Sequence, residues 1–416
     1  MSATVTAEGR RAFGARVAEL RARRGLTQRE LAGEIGRTTS WLSQVERGVQ
    51  PVNRLDVLRL LADGLGVPLH VLRPDAPQPV PADGEFDPQP NDLDQARLLL
   101  SGHLALDALL APKAARPGSS FAGLRRAVED AWVLAHEDRF AELSASLTSL
   151  LPELEHAVRS VGERDRPRVY RLLARTYQAL SAAFARQNEA DAAWVAADRA
   201  IAAAEMSGQV LEVFAGTFRL AHACIRLKRY DQAEHVARSA VSALDRHIDS
   251  AEPTPEVLSL LGSLHLALAV AHARTDDRAG ARREMEQARR VARQLGENRN
   301  DFNLEFGPLN VEIQAVSVAV DLGDAGEALE VGGRLDPSAL SVERQARLAL
   351  DMGRAHAQLR RLDDAVESFG EAERLAPEMV RSHVEARSAI RDLVLVAGRS
   401  ASSELRGLAQ RTDAMS

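Results

Sequence analysis

Apolar residues in the first part of the chain recur at helical spacing, and they predict five short helices over residues 11–73. Phe13, Val17 and Leu20 stand at i, i+4 and i+7, which places them on one face of a helix. The same spacing gives the later helices their inward residues: Leu31, Ile35, Leu42, Val45, Leu55, Leu58, Leu61 and Leu65. An all-α domain with a small core is therefore expected here.

Polar residues predict where two of these helices begin. Thr27 is followed by Glu30 three residues later, the pattern of a capping box, and Thr38 stands at the start of the next apolar stretch. Gly36 lies between the two helices, where it allows a sharp turn. Two short helices joined by a tight turn are thus expected over residues 27–48.

A proline-rich segment follows this domain. Residues 74–91 contain six prolines and no basic residue, a composition typical of a semi-extended linker. Residues 1–10 are predicted to be a flexible tail and residues 401–416 a C-terminal tail. The chain should therefore have two folded parts, residues 11–73 and residues 92–400.

Helical periodicity is nearly continuous over residues 92–400, and it repeats. The segment from Met352 through Ala365 and Phe369 to Pro377 resembles the tetratricopeptide (TPR) pattern, in which small residues let two helices cross closely. Weaker copies share one small or apolar residue in the second helix of each pair. These anchors are Leu143, Ala193, Ala233, Ala281, Ala328 and Ala365, with spacings of 50, 40, 48, 47 and 37 residues. The prediction is a TPR-like α-solenoid.

Charge separates the two parts. Residues 1–73 contain 12 arginines and 7 acidic residues, a net charge of +5, whereas the whole chain carries −6. The remainder must carry −11, so a basic N-terminal domain precedes an acidic one. That asymmetry is weakly indicative of a nucleic-acid-binding domain at the N-terminus.

The residue inventory removes several function classes. Cys224 is the single cysteine, so no intrachain disulfide or multi-cysteine zinc site is possible. The N-terminus lacks the pattern of a signal peptide, and the most apolar run, Leu264–Ala273, is short for a membrane span. No phosphate-binding loop, zinc-protease helix or nucleophile elbow occurs. We expect a cytoplasmic protein that is not an enzyme, uses no cofactor or metal and does not contact membranes.

Residues 26–48 are similar to the helix-turn-helix of the Cro/C1-type (XRE) family, from the Leu-Thr-Gln opening to Val45-Glu46-Arg47-Gly48. The resemblance covers residues 11–73 and implies a five-helix, lambda-repressor-like fold that binds double-stranded DNA. Glu46 is expected to be structural. The candidate DNA-contacting residues are Gln28, Arg37, Thr38, Thr39, Ser40, Trp41, Ser43, Gln44, Arg47, Asn53 and Arg54.

These candidates differ in their expected roles. The resemblance puts Thr39, Ser40 and Gln44 against base edges, where Gln44 can pair with adenine through two hydrogen bonds. Gln28, Asn53 and Arg54 are expected at phosphates. Arg37 occupies a position that is commonly apolar in the family, so it either reaches a phosphate or is solvated. Trp41 either packs against the domain or touches the sugar-phosphate backbone.

First-helix side chains of a TPR-like solenoid face its concave side, and here they are rich in cations and amides. Arginine binds carboxylates and amides bind peptide backbones, so this face is a candidate for a peptide or a small anionic ligand. The alternative is that these groups solvate the surface or pair with local carboxylates. The candidate residues are Arg175, Gln178, Arg186, His222, Arg226, Arg274, Asn303, Asn310, Arg347 and Arg354.

The loop at residues 296–310, with four asparagines and two phenylalanines, is either part of that site or a long turn with buried aromatics. Together the two parts resemble bacterial peptide-sensing regulators. The resemblance implies a homodimeric, sequence-specific transcription regulator that senses an effector. A DNA-localised scaffold that binds a protein partner through the solenoid remains the alternative.

Overall fold

The chain forms two compact units, Met1–Pro88 and Gln89–Ser416, and the boundary lies within the proline-rich segment. The computed structural model describes residues 7–35, 37–50, 52, 61, 64, 65, 67, 91–102, 120–248 and 252–414. All regular elements in these ranges are helices, apart from one isolated bridge between Arg299 and Phe306. The predicted fold, an all-α helix-turn-helix domain followed by a helical repeat, is confirmed.

Three helices are described in the N-terminal unit: α1 (Ala7–Arg23), α2 (Gln28–Glu34) and α3 (Thr39–Glu46). Helix α1 begins inside the segment that the sequence predicted as a tail. The other two predicted helices lie largely outside the described residues, although Leu61 and Leu65 are buried in the same core.

Helices α1 and α3 approach each other at a glycine. A Cβ on Gly14 would lie 2.3 Å from the carbonyl oxygen of Val45 and 2.5 Å from that of Glu46. A side chain at this position would therefore push against backbone rather than against a movable group. Gly14 sets how closely α1 packs on α3, and its role was not predicted from the sequence.

The C-terminal unit is a succession of antiparallel helix pairs that follow α4 (Asp94–Ser101). The helices of the six repeat pairs are α5 (Phe121–His136) and α6 (Phe140–Ser160), α7 (Arg166–Arg186) and α8 (Ala190–Ser207), α9 (Val210–Arg226) and α10 (Tyr230–Ile248), α11 (Pro255–Arg274) and α12 (Arg278–Leu295), α13 (Pro308–Asp321) and α14 (Ala325–Gly332), and α15 (Val342–Gln358) and α16 (Leu362–Leu375). Three further helices complete the unit: α17 (Pro377–Ser382), α18 (Val384–Ala397) and α19 (Ser403–Arg411).

The six predicted anchors occupy one equivalent position. Each is the fourth residue of the second helix of its pair, and all are at most 1% exposed. A three-residue turn separates the helices of every pair, and its central residue has a positive φ. These central residues are Asp138, Asn188, Lys228, Asp276, Gly323 and Arg360. The irregular repeat lengths therefore come from the helices and the connections between pairs, not from the turn within a pair.

Close crossing at small residues holds a pair together, as the TPR-like pattern predicts. A Cβ on Gly353 of α15 would lie 2.7 Å from the ring of Phe369 on α16. Phe369 is fully buried, and Ala365 lies one turn before it. The glycine thus leaves the space that the aromatic ring fills.

The predicted C-terminal tail is wrong. Residues 403–411 form α19, and Leu405, Leu408 and Ala409 are buried against the preceding helices. Arg411 donates to Glu373 on α16 at 2.7 Å and 2.8 Å. The apolar spacing at 405, 408 and 409 is that of a packed helix, so the segment covers the last pair instead of extending from it.

Helix α11 is long and apolar enough to cross a membrane by length and composition, with a mean hydropathy of 1.5. This helix is longer than the apolar run identified in the sequence. In the protein 89% of its apolar window is buried among other helices, so α11 is the central core helix of the C-terminal unit. No other described helix passes the same test.

Candidate nucleic-acid interface and cavity

The N-terminal end of α3 presents its polar side chains outward. Thr38 caps the helix, since its hydroxyl accepts the backbone N–H of Trp41 at 3.2 Å. Thr39 and Ser40 are exposed, and Gln44, one turn further along, is half-buried. Leu42 and Val45 hold the opposite face in the core. These exposed groups can therefore meet base edges without any change in the packing of α3.

A buried carboxylate fixes α3 against the two helices before it. Glu46 is 7% exposed at its side chain and accepts Arg21 Nε at 2.6 Å and Gln28 Nε2 at 2.6 Å. Its expected structural role fits this geometry. Gln28, expected at a phosphate, uses its amide nitrogen on Glu46, so any phosphate contact must come from its second amide hydrogen.

Two arginines lie just beyond the two ends of α3, Arg37 before its N-cap and Arg47 at its C-cap. The Arg37 guanidinium lies 5.5 Å from the centre of the Trp41 ring, and the Arg37 side chain is exposed. Arg47 Nε donates to the carbonyl of Ser43 at 3.2 Å, which leaves its other donors outward. Asn53 and Arg54, the remaining phosphate candidates, lie outside the described residues.

A cavity of about 380 Å³ lies in the C-terminal unit. Most of its lining comes from the first helix of each repeat pair. Seven cationic side chains line it, against three carboxylates. The cations are Arg186, Arg219, Arg226, Lys228, Arg274, Arg344 and Arg347; the carboxylates are Glu305, Glu343 and Glu385. Its size lies at the small end of pockets that hold small molecules. The cavity therefore carries excess positive charge inside a domain that is acidic as a whole.

Ion pairs between helices that are far apart in the chain join the walls of this cavity. Arg186 on α7 donates to Glu343 on α15 at 2.6 Å, and Arg274 on α11 donates to Glu385 on α18 at 2.5 Å. Burial raises the pKa of Glu343, but Arg186 and Arg344 outweigh burial and hold that pKa at about 2. Glu343 is therefore ionised, and the pair is a true salt bridge.

One wall of the cavity combines cationic and aromatic groups. Arg219 lies 5.3 Å from the ring centre of Trp132 and donates to the carbonyl of Asn303 at 2.8 Å. Burial lowers the pKa of Arg219 to about 10. His222 packs on Phe218, and burial, reinforced by Arg219, lowers the pKa of His222 to about 3. His222 is therefore neutral in the folded protein.

The loop before α13 combines the two interpretations that the sequence left open. Phe306 is fully buried, whereas Asn303 and Glu305 line the cavity. Phe302, Asn303 and Glu305 all have positive φ values, between 49° and 57°. Such backbone is uncommon outside glycine, and Arg344, which donates to Glu305 at 3.1 Å, helps to hold it.

Six of the ten candidate ligand residues lie together at the cavity: Arg186, His222, Arg226, Arg274, Asn303 and Arg347. The other four lie elsewhere. Gln178 is buried and donates to Glu212, while Arg354 pairs with Asp321 and Asp351 in the core. Arg175 and Asn310 do not line the cavity. For Gln178 and Arg354, the alternative of pairing with local carboxylates is the one that the structure shows.

The sequence reasoning missed several cavity residues, among them Arg219 and His383. Arg219 stands at i−3 from His222 and i−7 from Arg226, so the helical stripe on α9 contained the signal for it. His383 carried no such signal, because it lies between α17 and α18, outside the repeated pattern of helix pairs. Among the described residues, no group of three or more His, Cys, Asp or Glu side chains is arranged to hold a metal ion.

Comparison with known proteins supports the N-terminal assignment. Residues 12–74 match a family model described as a helix-turn-helix domain. The N-terminal unit is a helix-turn-helix DNA-binding domain. None of the curated proteins matches the chain.

One solved structure is similar over most of the chain. It is Bacillus thuringiensis PlcR in complex with the peptide PapR7 and DNA, with 12% sequence identity over 92% of this chain and 99% of that one. The TM-score is 0.33, so the likeness carries no argument about the arrangement or the ligand of this protein.

Proposed function

We propose that this protein is a sequence-specific transcription regulator that binds DNA as a homodimer and senses an effector in the cavity of its C-terminal unit. The observation that carries the proposal is the capped helix α3, whose outward residues Thr39 and Ser40 are exposed and whose Gln44 is half-buried. One such helix makes few base contacts. Two copies on half-sites about 34 Å apart would supply the specificity that one lacks.

The cavity supports the sensing half of the proposal. Its excess of cations favours a ligand with a negative group, either a small acid or the carboxylate of a peptide. The cavity walls come from helices that are far apart in the chain, so a ligand bridging them changes how the repeats pack. It shifts DNA binding only insofar as it prefers one arrangement of the repeats.

Selection from randomised duplex DNA with the full-length protein tests this function. The expected result is an inverted repeat, with sedimentation showing two protein copies on each duplex. Enrichment of no common sequence, with binding that depends only on salt, would sink the proposal. In that case capture of a protein by the C-terminal unit would favour the scaffold alternative.

A further inference from the structure

The cations of the cavity fall into two groups that differ in their partners. Arg186, Arg274 and Arg344 each donate to a carboxylate of the cavity wall, namely Glu343, Glu385 and Glu305. These pairs connect helices that are far apart in the chain, and within each pair the two charges neutralise one another. The charge excess of the cavity therefore resides in the remaining cations.

Arg226 belongs to this second group. Its side chain has no hydrogen-bond or ion-pair partner among the residues that the structure describes. Burial, followed by the charge of Arg347, lowers the pKa of Arg226 to about 10, so it remains protonated near neutral pH. Arg226 is half-buried at the cavity, and a partly desolvated cation without a protein partner is best satisfied by an anion or by water.

Arg347, on α15, offers further donors at the same place. Its Nε donates to the buried carboxylate of Asp351 at 3.1 Å, which anchors the guanidinium. The two Nη groups have no partner within the described ranges. The Asp351 carboxylate also accepts hydrogen bonds from Arg354 and Ser317, so it does not neutralise Arg347 alone.

His383 supplies a neutral donor. Only 3% of it is exposed, and its Nδ1 accepts the backbone N–H of Ala386 at 3.3 Å as the cap of α18. Burial and the nearby arginines, Arg347 first, lower the pKa of His383 well below its usual range, so the ring is neutral. A neutral ring whose Nδ1 accepts carries its proton on Nε2. That Nε2 is buried at the cavity and has no partner among the described residues.

We propose that Arg226, the Nη groups of Arg347 and the Nε2–H of His383 form an oxyanion subsite that binds the carboxylate or phosphate group of the effector. The inference rests on the proposed sensing function and names the chemistry of its ligand. All three groups are donors, and a cationic or apolar ligand group would leave them unsatisfied. The wall carboxylate of Glu385 accepts from Arg274 through Oε1, and its Oε2 lies 3.4 Å from the capping Nδ1 of His383, so both of its oxygens have partners.

Thermal unfolding of the full-length protein with inorganic phosphate or acetate, each against chloride at equal ionic strength, tests the subsite. Both probes are oxyanions. A response to phosphate alone would identify a phosphate site, and a response to acetate alone would identify a carboxylate site. The variants are Arg226→Gln and His383→Asn, since asparagine can still cap α18. Arg229→Gln is the control, because Arg229 is exposed, lies three residues from Arg226 and does not line the cavity.

We expect at least one probe to raise the midpoint of the wild type and of Arg229→Gln, with an apparent Kd at least about tenfold weaker in Arg226→Gln and His383→Asn. No rise in the wild type with either probe would overturn the subsite. Equal rises in the wild type and both subsite variants would overturn it as well.

DNA binding separates this failure from failure of the proposed function. If duplex selection yields an operator but neither probe binds at Arg226, the regulator stands and the subsite does not. If the probes bind as expected but no operator emerges, the subsite stands and the regulatory function fails. The two results come from different measurements on the same protein.

Discussion

Helix α3 and the cavity both present polar side chains for a ligand, but they are built over very different distances along the chain. The recognition surface comes from consecutive residues, with Thr38 as its cap and Glu46 as its fixing group. The cavity needs residues such as Arg186 and Glu343, which are 157 positions apart. The surface of α3 is complete once α3 has packed on its neighbouring helices, whereas the cavity forms only when helices from distant repeats have come together.

The largest effect should come from breaking the polar core next to the cavity. Asp351 is fully buried and pairs with Arg347 and Arg354, so Asp351→Ala leaves Arg347 without its carboxylate and Arg354 with Asp321 alone. We expect a loss of about 3–5 kcal/mol in the free energy of unfolding, measured with urea. The exposed Asp363→Ala is the matched control. Equal stability of the two variants would show that the cavity does not depend on this network.

A substitution on the outward face of α3 should weaken DNA binding and leave the fold intact. Gln44→Ala should weaken binding to the selected operator by about 1–3 kcal/mol and remove discrimination at one base pair, because one amide pair with a base is lost. Affinities for operators changed at single base pairs measure this. A uniform loss across all sequences would place Gln44 at the backbone rather than at a base.

Acidification should weaken the C-terminal unit through its neutral histidines. The pKa of His222 falls to about 3 on folding, so between pH 6.5 and 3 the unfolded chain binds a proton that the folded chain does not. The folded protein therefore has its full stability above pH 6.5, and the part that depends on a neutral His222 is lost as the pH falls. From pH 7.5 to 5 we expect a loss of about 1–2 kcal/mol attributable to His222.

Urea unfolding of His222→Gln at both pH values checks this, with the exposed His235→Gln as control. The His222→Gln variant should show a smaller pH dependence than the wild type. A pH dependence unchanged in His222→Gln would mean that His222 is protonated in the folded protein.

The smallest effect concerns the cap of α3. Thr38→Ala removes the hydroxyl that accepts the Trp41 N–H, and it should lower the stability of the N-terminal unit by about 1 kcal/mol. Thr38→Ser keeps the hydroxyl and should restore most of the loss. Thermal unfolding monitored through a probe on this unit is the measurement, and equal midpoints for the alanine and serine variants would contradict the cap.

This difference in distance also explains what the sequence could predict. Thr27, Glu30 and Thr38 act within three residues, so their caps could be predicted from the pattern. The repeat anchors also followed from spacing, because each packs within its own helix pair. The closure of the cavity, the position of His383 and the partners on which α19 packs depend on contacts between distant segments, and periodicity does not encode which segments meet.

The most direct test of the central claim is the affinity of the full-length protein for its selected operator relative to a scrambled duplex, at one stated salt concentration. A specific regulator should prefer the operator by about 10³-fold or more. Phosphate or acetate, whichever occupies the cavity, should change that ratio in the wild type and not in Arg226→Gln. Equal affinity for the two duplexes, falling linearly with the logarithm of salt, would contradict the account.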